Sequence, residues 1–228
     1  AVTKFLPSYA GFLMAREVEY LSRVLNEPPE GKTVILGGAK VSTKLPVIKN
    51  FLGKAGRILV AGALANTIFK AKGIKTGQSF FEDIGDKIDW NNPKIILPKD
   101  MVISEDRTGK STPEVKPIQD LADNQYILDI GPETVKLFSG IIKNSKTVIF
   151  NGPLGLAEID VFSVGTKAVL NSMIRSGAFS VIGGGDTLAL VEKLGLLEKF
   201  SYVSTGGGAM LEFLAGNKLP GLEALNYY

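Results

Sequence analysis

Residues 33–44 read TVILGGAKVSTK: a short apolar run breaks into two glycines, an alanine and a polar segment. Four continuous apolar or β-branched residues without polar alternation suit a strand covered on both faces, the mark of a parallel sheet. The glycines end the strand, and the following segment reads as a turn into a helix. In an open parallel sheet, ligands bind beyond the carboxyl ends of the strands, so residues 37–44 are a candidate site. Gly38 and Ala39 are small enough to let backbone approach a ligand closely. Lys40 and Lys44 are four residues apart and share a face if both are helical. Two ammonium groups at a helix N-terminus oppose its dipole, and an anion bound there relieves that conflict. A strand–turn–helix junction with two solvated lysines would carry the same residues. The spacing is not a Walker A loop, which needs G-x-x-x-x-G-K-[ST].

Outward from this stretch the pattern repeats. Residues 57–60, 94–97, 126–129, 147–150 and 179–182 are further short apolar runs, with 202–203 a shorter one. Amphipathic segments at 45–52, 64–72, 133–143, 162–176 and 188–194 separate them. Strands alternating with helices predict right-handed βαβ units. The expected fold is α/β: a doubly wound, mostly parallel, Rossmann-like sheet with helices on both faces, in three layers. Before the first strand, residues 8–25 form another amphipathic pattern that Ser8 can cap. We expect an inter-domain-type helix over 1–27 and one α/β domain over 28–228, although an ordinary packed helix would show the same pattern. Residues 104–123 are polar, contain Pro113 and Pro117, and read as a surface excursion.

Composition excludes several kinds of chemistry. The 228 residues are 45% hydrophobic and 21% charged, enough for a real core. A net charge of +3 points to no bulk binding of nucleic acid. There is no cysteine, hence no disulfide framework or thiolate site. There is no histidine, which removes histidine-based triads, histidine-ligated zinc and a histidine general base. Chemistry must come from lysine, arginine, carboxylates, hydroxyls, backbone amides or a hard metal. No apolar run approaches a membrane span, and AVTKFLPSYAG lacks the pattern of a signal peptide.

The other loops after strands sharpen the expectation. Gly183-Gly184-Gly185-Asp186-Thr187 offers amides, a hard carboxylate and a hydroxyl before a helix. One aspartate suffices for Mg²⁺ when substrate phosphates supply other ligands; an N-cap aspartate on a tight turn needs fewer glycines. Ser204-Thr205-Gly206-Gly207-Gly208-Ala209 opens another helix with free amides. In residues 151–158, NGPLGLAE, Asn151 suits a phosphate and Glu158 a ribose hydroxyl pair; a turn with an exposed glutamate reads the same. Ala61-Gly62-Ala63 leaves room for a flat group such as a base. No G-x-G-x-x-G follows a strand. Amides, two lysines, one carboxylate for Mg²⁺ and a ribose acceptor together suit a nucleotide polyphosphate.

The order of these motifs resembles phosphoglycerate kinase. FLPSYAG at 5–11, GGAKVSTK at 37–44, Asn151-Gly152-Pro153 with Gly155, the two glycine triplets and the closing Lys218-Leu219-Pro220-Gly221 follow that family's sequence, across essentially the whole chain. The resemblance implies the C-terminal, Mg-ADP- and Mg-ATP-binding half of a two-domain hinge enzyme. That enzyme passes a phosphoryl group between 1,3-bisphosphoglycerate and ADP in glycolysis. It implies that Lys40 and Lys44 meet the phosphates, with Gly38 and Ala39 beside them, and that Asp186 holds Mg²⁺. It also makes Gly184, Gly185 and Thr187 a phosphate loop, and Gly206 and Gly207 amides that face the phosphoryl in flight. Asn151 and Pro153 would line the cleft, Glu158 contact ribose, and Gly62, Ala63 and Leu128 form the adenine slot.

The chain departs from the family at Thr43, where Asp is usual, and at Ala61, Ala63, Asn66, Ile127 and Ala157. The family's N-terminal domain, with its basic patch for 1,3-bisphosphoglycerate or 3-phosphoglycerate, has no counterpart here. The isolated chain is therefore expected to be a cytoplasmic monomer that binds nucleotide without turnover; the alternative is a stand-alone nucleotide-binding module without transferase activity.

Overall fold

The structure, a computed structural model, describes residues 2–84 and 88–228. In chain order the elements are α1 (Phe12–Asn26), β1 (Lys32–Leu36), α2 (Leu45–Leu52), β2 (Arg57–Val60), α3 (Gly62–Ala71), β3 (Ile95–Ile96), β4 (Asp100–Ser104), β5 (Glu114–Pro117), β6 (Tyr126–Ile130), α4 (Pro132–Lys143), β7 (Thr147–Asn151), α5 (Val164–Ser176), β8 (Phe179–Gly183), α6 (Gly185–Lys193), β9 (Tyr202–Ser204), α7 (Gly208–Leu214) and α8 (Pro220–Glu223). Among the described residues, no helix is long and apolar enough to cross a membrane.

Six strands form one sheet in the order β3-β2-β1-β7-β8-β9. Every neighbouring pair is parallel. Strand residues alternate between two cores, as the pleat requires. Val34 and Leu36 face one core with residues of α1, α2, α3 and α7, while Ile35 faces the other with residues of α4, α5 and α6. The result is the expected three-layer, doubly wound arrangement.

Two expectations need correction. The strand expected at 126–129 is β6, but it belongs to a separate antiparallel sheet, β5-β4-β6. The cause is the connection after β3. Only Leu97, Pro98 and Lys99 separate β3 from β4, and a parallel crossover needs a dozen or more residues. The chain therefore turns into a second sheet, and β6 pairs with β4. The polar stretch 104–123 is mostly exposed, as a surface excursion should be, and it carries β5. At the N-terminus, Ser8 caps no helix: its hydroxyl donates to the Leu6 carbonyl at 3.2 Å. The helix starts later, with Gly11 in extended conformation at the cap position. Helix α1 buries Leu21 and Val24 in the first core, and Tyr20 stacks on Tyr202 with ring centroids 4.3 Å apart.

Two buried aspartates tie the small sheet to the helices beneath it. Asp100 on β4 caps α4 from outside that helix. Its carboxylate accepts from the amides of Glu133 at 2.9 Å and Thr134 at 2.7 Å, and from the Thr134 hydroxyl at 2.6 Å. Asp129 on β6 accepts from the Gly165 amide, at the start of α5, at 2.7 Å and from the Ile130 amide at 2.9 Å. Burial dominates these two bonds and pushes the Asp129 carboxyl up to about 7.

Asp100→Ala removes the acceptor for three donors and should lower unfolding stability by about 2 kcal/mol in urea melts; a loss below about 0.5 kcal/mol would show that α4 is held by other contacts. For Asp129 the native carboxyl titrates near pH 7 and an unfolded one near about pH 4. The native state therefore holds a proton across that window that the unfolded chain has released. The contribution of this group is full below about pH 4 and is lost as pH rises through the native value. Melts of Asp129→Asn between about pH 4 and pH 8 should lack this loss, on the order of 2–4 kcal/mol. Parallel profiles for the two proteins would mean that the native carboxyl is ionised throughout.

Candidate active site

The sheet's register sets the site. Val60, Leu36, Asn151, Gly183 and Ser204 lie in one row across neighbouring strands. Each is the last residue of its strand, so the loops after β2, β1, β7, β8 and β9 leave the sheet side by side. From β1 the chain winds outward through β2 to β3, and from β7 through β8 to β9. The direction reverses between β1 and β7, and a crevice opens at such a switch point.

Two loops cross at that crevice. The Gly37 amide donates to the Asn151 carbonyl at 3.0 Å, and the Gly38 amide to the Pro153 carbonyl at 2.6 Å. A Cβ on Gly37 would stand 2.1 Å from the Pro153 carbonyl oxygen, and one on Gly152 would stand 2.3 Å from that of Gly37. No side chain fits at either position, so backbone itself forms the floor of the crevice.

On one side of this floor is a hollow lined by Gly38, Ala39, Lys40, Lys44, Asn151, Gly184, Gly185, Asp186, Thr187 and Gly207. Helices α6 and α7 begin there at Gly185 and Gly208, with no side-chain cap hydrogen bond at either start among the described residues. Lys44 is buried, and its Nζ donates to the Lys40 carbonyl at 3.3 Å. Burial pulls the Lys44 ammonium below the usual lysine range, and neighbouring Lys40 adds to this; Asp186 and Glu82 push it back up. A buried cation this poorly solvated is stabilised by an added anion. Asp186 is exposed at the start of α6. Among the described residues, no three carboxylates, histidines or cysteines cluster. A hard cation beside Asp186 would therefore complete its shell with ligand oxygens and water, a donor set that suits Mg²⁺. Thr187 is buried, and its hydroxyl oxygen accepts from the Gly152 amide at 2.9 Å, while its proton is still available to donate.

The second hollow shares Gly38, Ala39 and Asp186 with the first. Gly62, Ala63, Leu128, Pro153 and Glu158 also line it. Its walls are mainly apolar, with Phe80, Ile127, Leu154 and Leu156 among them, and they suit a flat hydrophobic group. Arg107 lines it too and lies over the Tyr126 ring at 5.5 Å.

The structure thus brings together the site residues expected from sequence, with one exception. Gly206 lines a different surface, an apolar groove between α1 and α7. The loop is turned there by Glu17, whose carboxylate accepts from the Thr205 amide at 2.7 Å and the Ser204 hydroxyl at 2.8 Å. The lysine pair also differs from expectation. Helix α2 starts at Leu45, so Lys40 and Lys44 lie before it and share no helical face. The loop bends because Glu82 accepts from the amides of Val41 and Ser42, each at 3.0 Å. Sequence reading missed Glu82, Arg107 and Asp129. Glu82 acts on a loop 40 residues away, and no local spacing signals that contact.

The phosphoglycerate kinase family profile matches residues 1–217. The phosphoglycerate kinase of Herpetosiphon aurantiacus is 43% identical over 233 residues, covering 99% of this chain and 59% of that protein. That of Finegoldia magna is 43% identical over 235 residues, with the same coverage of both. Among solved structures, phosphoglycerate kinase from Coxiella burnetii superposes with a TM-score of 0.88 at 37% identity, over 96% of this chain and 58% of that one. The enzyme from Pyrococcus horikoshii OT3 gives a TM-score of 0.84 at 31% identity, over 98% and 58%. The chain spans about 59% of the length of the curated relatives it matches. With the profile running through nearly the whole sheet and every loop of the crevice, the chain belongs to the phosphoglycerate kinase family.

Proposed function

We propose that the crevice binds Mg-ADP or Mg-ATP, and that the chain is the C-terminal, nucleotide-binding half of a cytoplasmic phosphoglycerate kinase. The observation that carries this reading is the buried Lys44 ammonium, poorly solvated and set among uncapped helix starts beside Asp186. Such a site rewards a polyanion that brings its own cation.

In this reading Lys40 and Lys44 neutralise the terminal phosphates, and Asn151 and the amides of Gly184, Gly185 and Gly207 receive their oxygens. The Thr187 proton is available to the same oxygens. Asp186 holds Mg²⁺, which when bound neutralises charge on the phosphates. Gly38, Ala39, Gly62, Ala63, Pro153 and Leu128 enclose the base, and Glu158 accepts from ribose hydroxyls. Gly206 serves only as the bend that delivers Gly207. Phosphoryl transfer depends chiefly on such positioning and charge neutralisation.

The family's reaction passes a phosphoryl group between 1,3-bisphosphoglycerate and ADP in glycolysis. The chain holds no histidine, and among the described residues no arginine lines the phosphate hollow. We assign the phosphoglycerate site to the part of the relatives' length that this chain does not span, with α1 at the junction. A single open face neither aligns donor and acceptor nor excludes water.

Calorimetric titration of ADP tests the reading. Lys40→Ala and Lys44→Ala should each weaken binding about tenfold or more, since a charge-assisted contact contributes roughly 1.5–3 kcal/mol. Mg²⁺ should tighten binding to the unaltered chain and have no effect on Asp186→Asn. Unchanged affinity in both lysine variants, or no Mg²⁺ effect on the unaltered chain, would contradict the site. In a coupled assay with 3-phosphoglycerate and Mg-ATP, this chain alone should show negligible turnover; rates typical of kinases would contradict the division of labour.

A further inference from the structure

The lysine loop is held from outside. Between Lys40 and Lys44 the chain makes one tight turn, and two of its amides meet a carboxylate far along the sequence. Glu82 accepts from the Val41 amide through Oε1 and from the Ser42 amide through Oε2, each at 3.0 Å. Two charge-assisted bonds to adjacent amides fix two successive peptide groups. Those peptides lie between the lysines, and the turn closes around them. The Lys44 amide donates to the Val41 carbonyl at 2.9 Å. The Lys44 ammonium and the Thr43 hydroxyl both donate to the Lys40 carbonyl, at 3.3 and 2.8 Å. A shift at Val41 and Ser42 therefore moves both ammonium groups.

Glu82 is itself firmly seated. Its amide donates to the Thr67 hydroxyl at 3.1 Å, and that hydroxyl donates to the Ala63 carbonyl at 2.9 Å within α3. The Phe80 carbonyl accepts from the Asn66 side chain, also on α3, at 3.2 Å. The Ser79 hydroxyl oxygen accepts from the Ile127 amide on β6 at 2.7 Å. Residues 79–82 thus form a strap fastened to α3 and β6. We infer that Glu82 is a positioning residue for the terminal phosphates of the nucleotide, acting through Lys40 and Lys44: its carboxylate holds the turn that presents both ammonium groups to the phosphate hollow. The inference rests on the nucleotide reading above and adds what places the lysines. A carboxylate near the lysines also repels a phosphate. Its influence on the Lys44 ammonium, however, is the weakest of four, after burial, Asp186 and Lys40. Positioning therefore outweighs repulsion, and the sign of the effect is testable.

The test compares ADP with AMP, which share base, ribose and first phosphate, on the 228-residue chain and on Glu82→Gln. Glutamine keeps the shape of the side chain but offers one acceptor oxygen and turns an amine towards the other amide. The preference for ADP over AMP should fall about tenfold in Glu82→Gln, because one charge-assisted bond that orders the turn is lost. The loss should come from weaker ADP binding, with AMP binding kept within about twofold. A strap that merely supported the fold would weaken both nucleotides alike. On a chain already carrying Lys40→Ala and Lys44→Ala, adding Glu82→Gln should change ADP affinity by less than about twofold, since the groups it acts through are gone. Three results would each overturn the role of Glu82 while leaving the phosphate site standing: an ADP preference in Glu82→Gln equal to or above that of the unaltered chain, a matching loss of both nucleotides, or a further loss of about tenfold on the double-lysine background. Binding of neither nucleotide to the unaltered chain overturns both.

Discussion

Gly37 and Gly152 meet backbone to backbone at the reversal point of the sheet, and the geometry of the crevice follows from that contact. A parallel sheet wound in both directions leaves its two central strands, β1 and β7, with loops that must part to opposite faces. Here they first cross, joined by the Gly37–Asn151 and Gly38–Pro153 hydrogen bonds. The missing Cβ atoms allow peptide groups, rather than side chains, to form the floor. Gly62 joins the same knot: a Cβ there would lie 3.0 Å from the Gly38 amide nitrogen. The apolar hollow and the lysine-lined hollow open on either side of it, and they share walls because they share this floor.

Charge around the floor is arranged for a guest. Glu82 spends its carboxylate on the amides of Val41 and Ser42, so it holds the shape of the lysine loop. Lys44, left with a carbonyl partner and a desolvated ammonium, remains short of negative charge. Asp186 provides one carboxylate across the hollow, exposed and able to turn to a cation. A desolvated cation such as Lys44 costs stability that a bound anion would restore.

The parts of this arrangement visible in the sequence were those encoded locally. Continuous apolar runs such as TVIL and TVIF announced buried parallel strands, and the glycine clusters after them announced loops at carboxyl ends. The register that aligns Leu36, Asn151, Gly183 and Ser204 follows from those strands, so nearly all the loop residues converge as expected. Contacts across long sequence separations were not legible. The pairing of β6 with β4 depends on a connection too short for a crossover, which only matters once β3 is in place. The bend before α2 depends on Glu82, and the turning of Gly206 away from the hollow depends on Glu17. Neither carboxylate differs in sequence from any solvated one.

Backbone amide chemical shifts during titration with Mg-ADP test the central claim most directly, because the crevice is built of amides. The account predicts that the largest shifts fall on Gly38, Ala39, Gly184, Gly185 and Gly207, on both sides of the β1–β7 boundary, with small shifts in α4 and α5. Shifts concentrated in the α1–α7 groove, or confined to one side of that boundary, would contradict it.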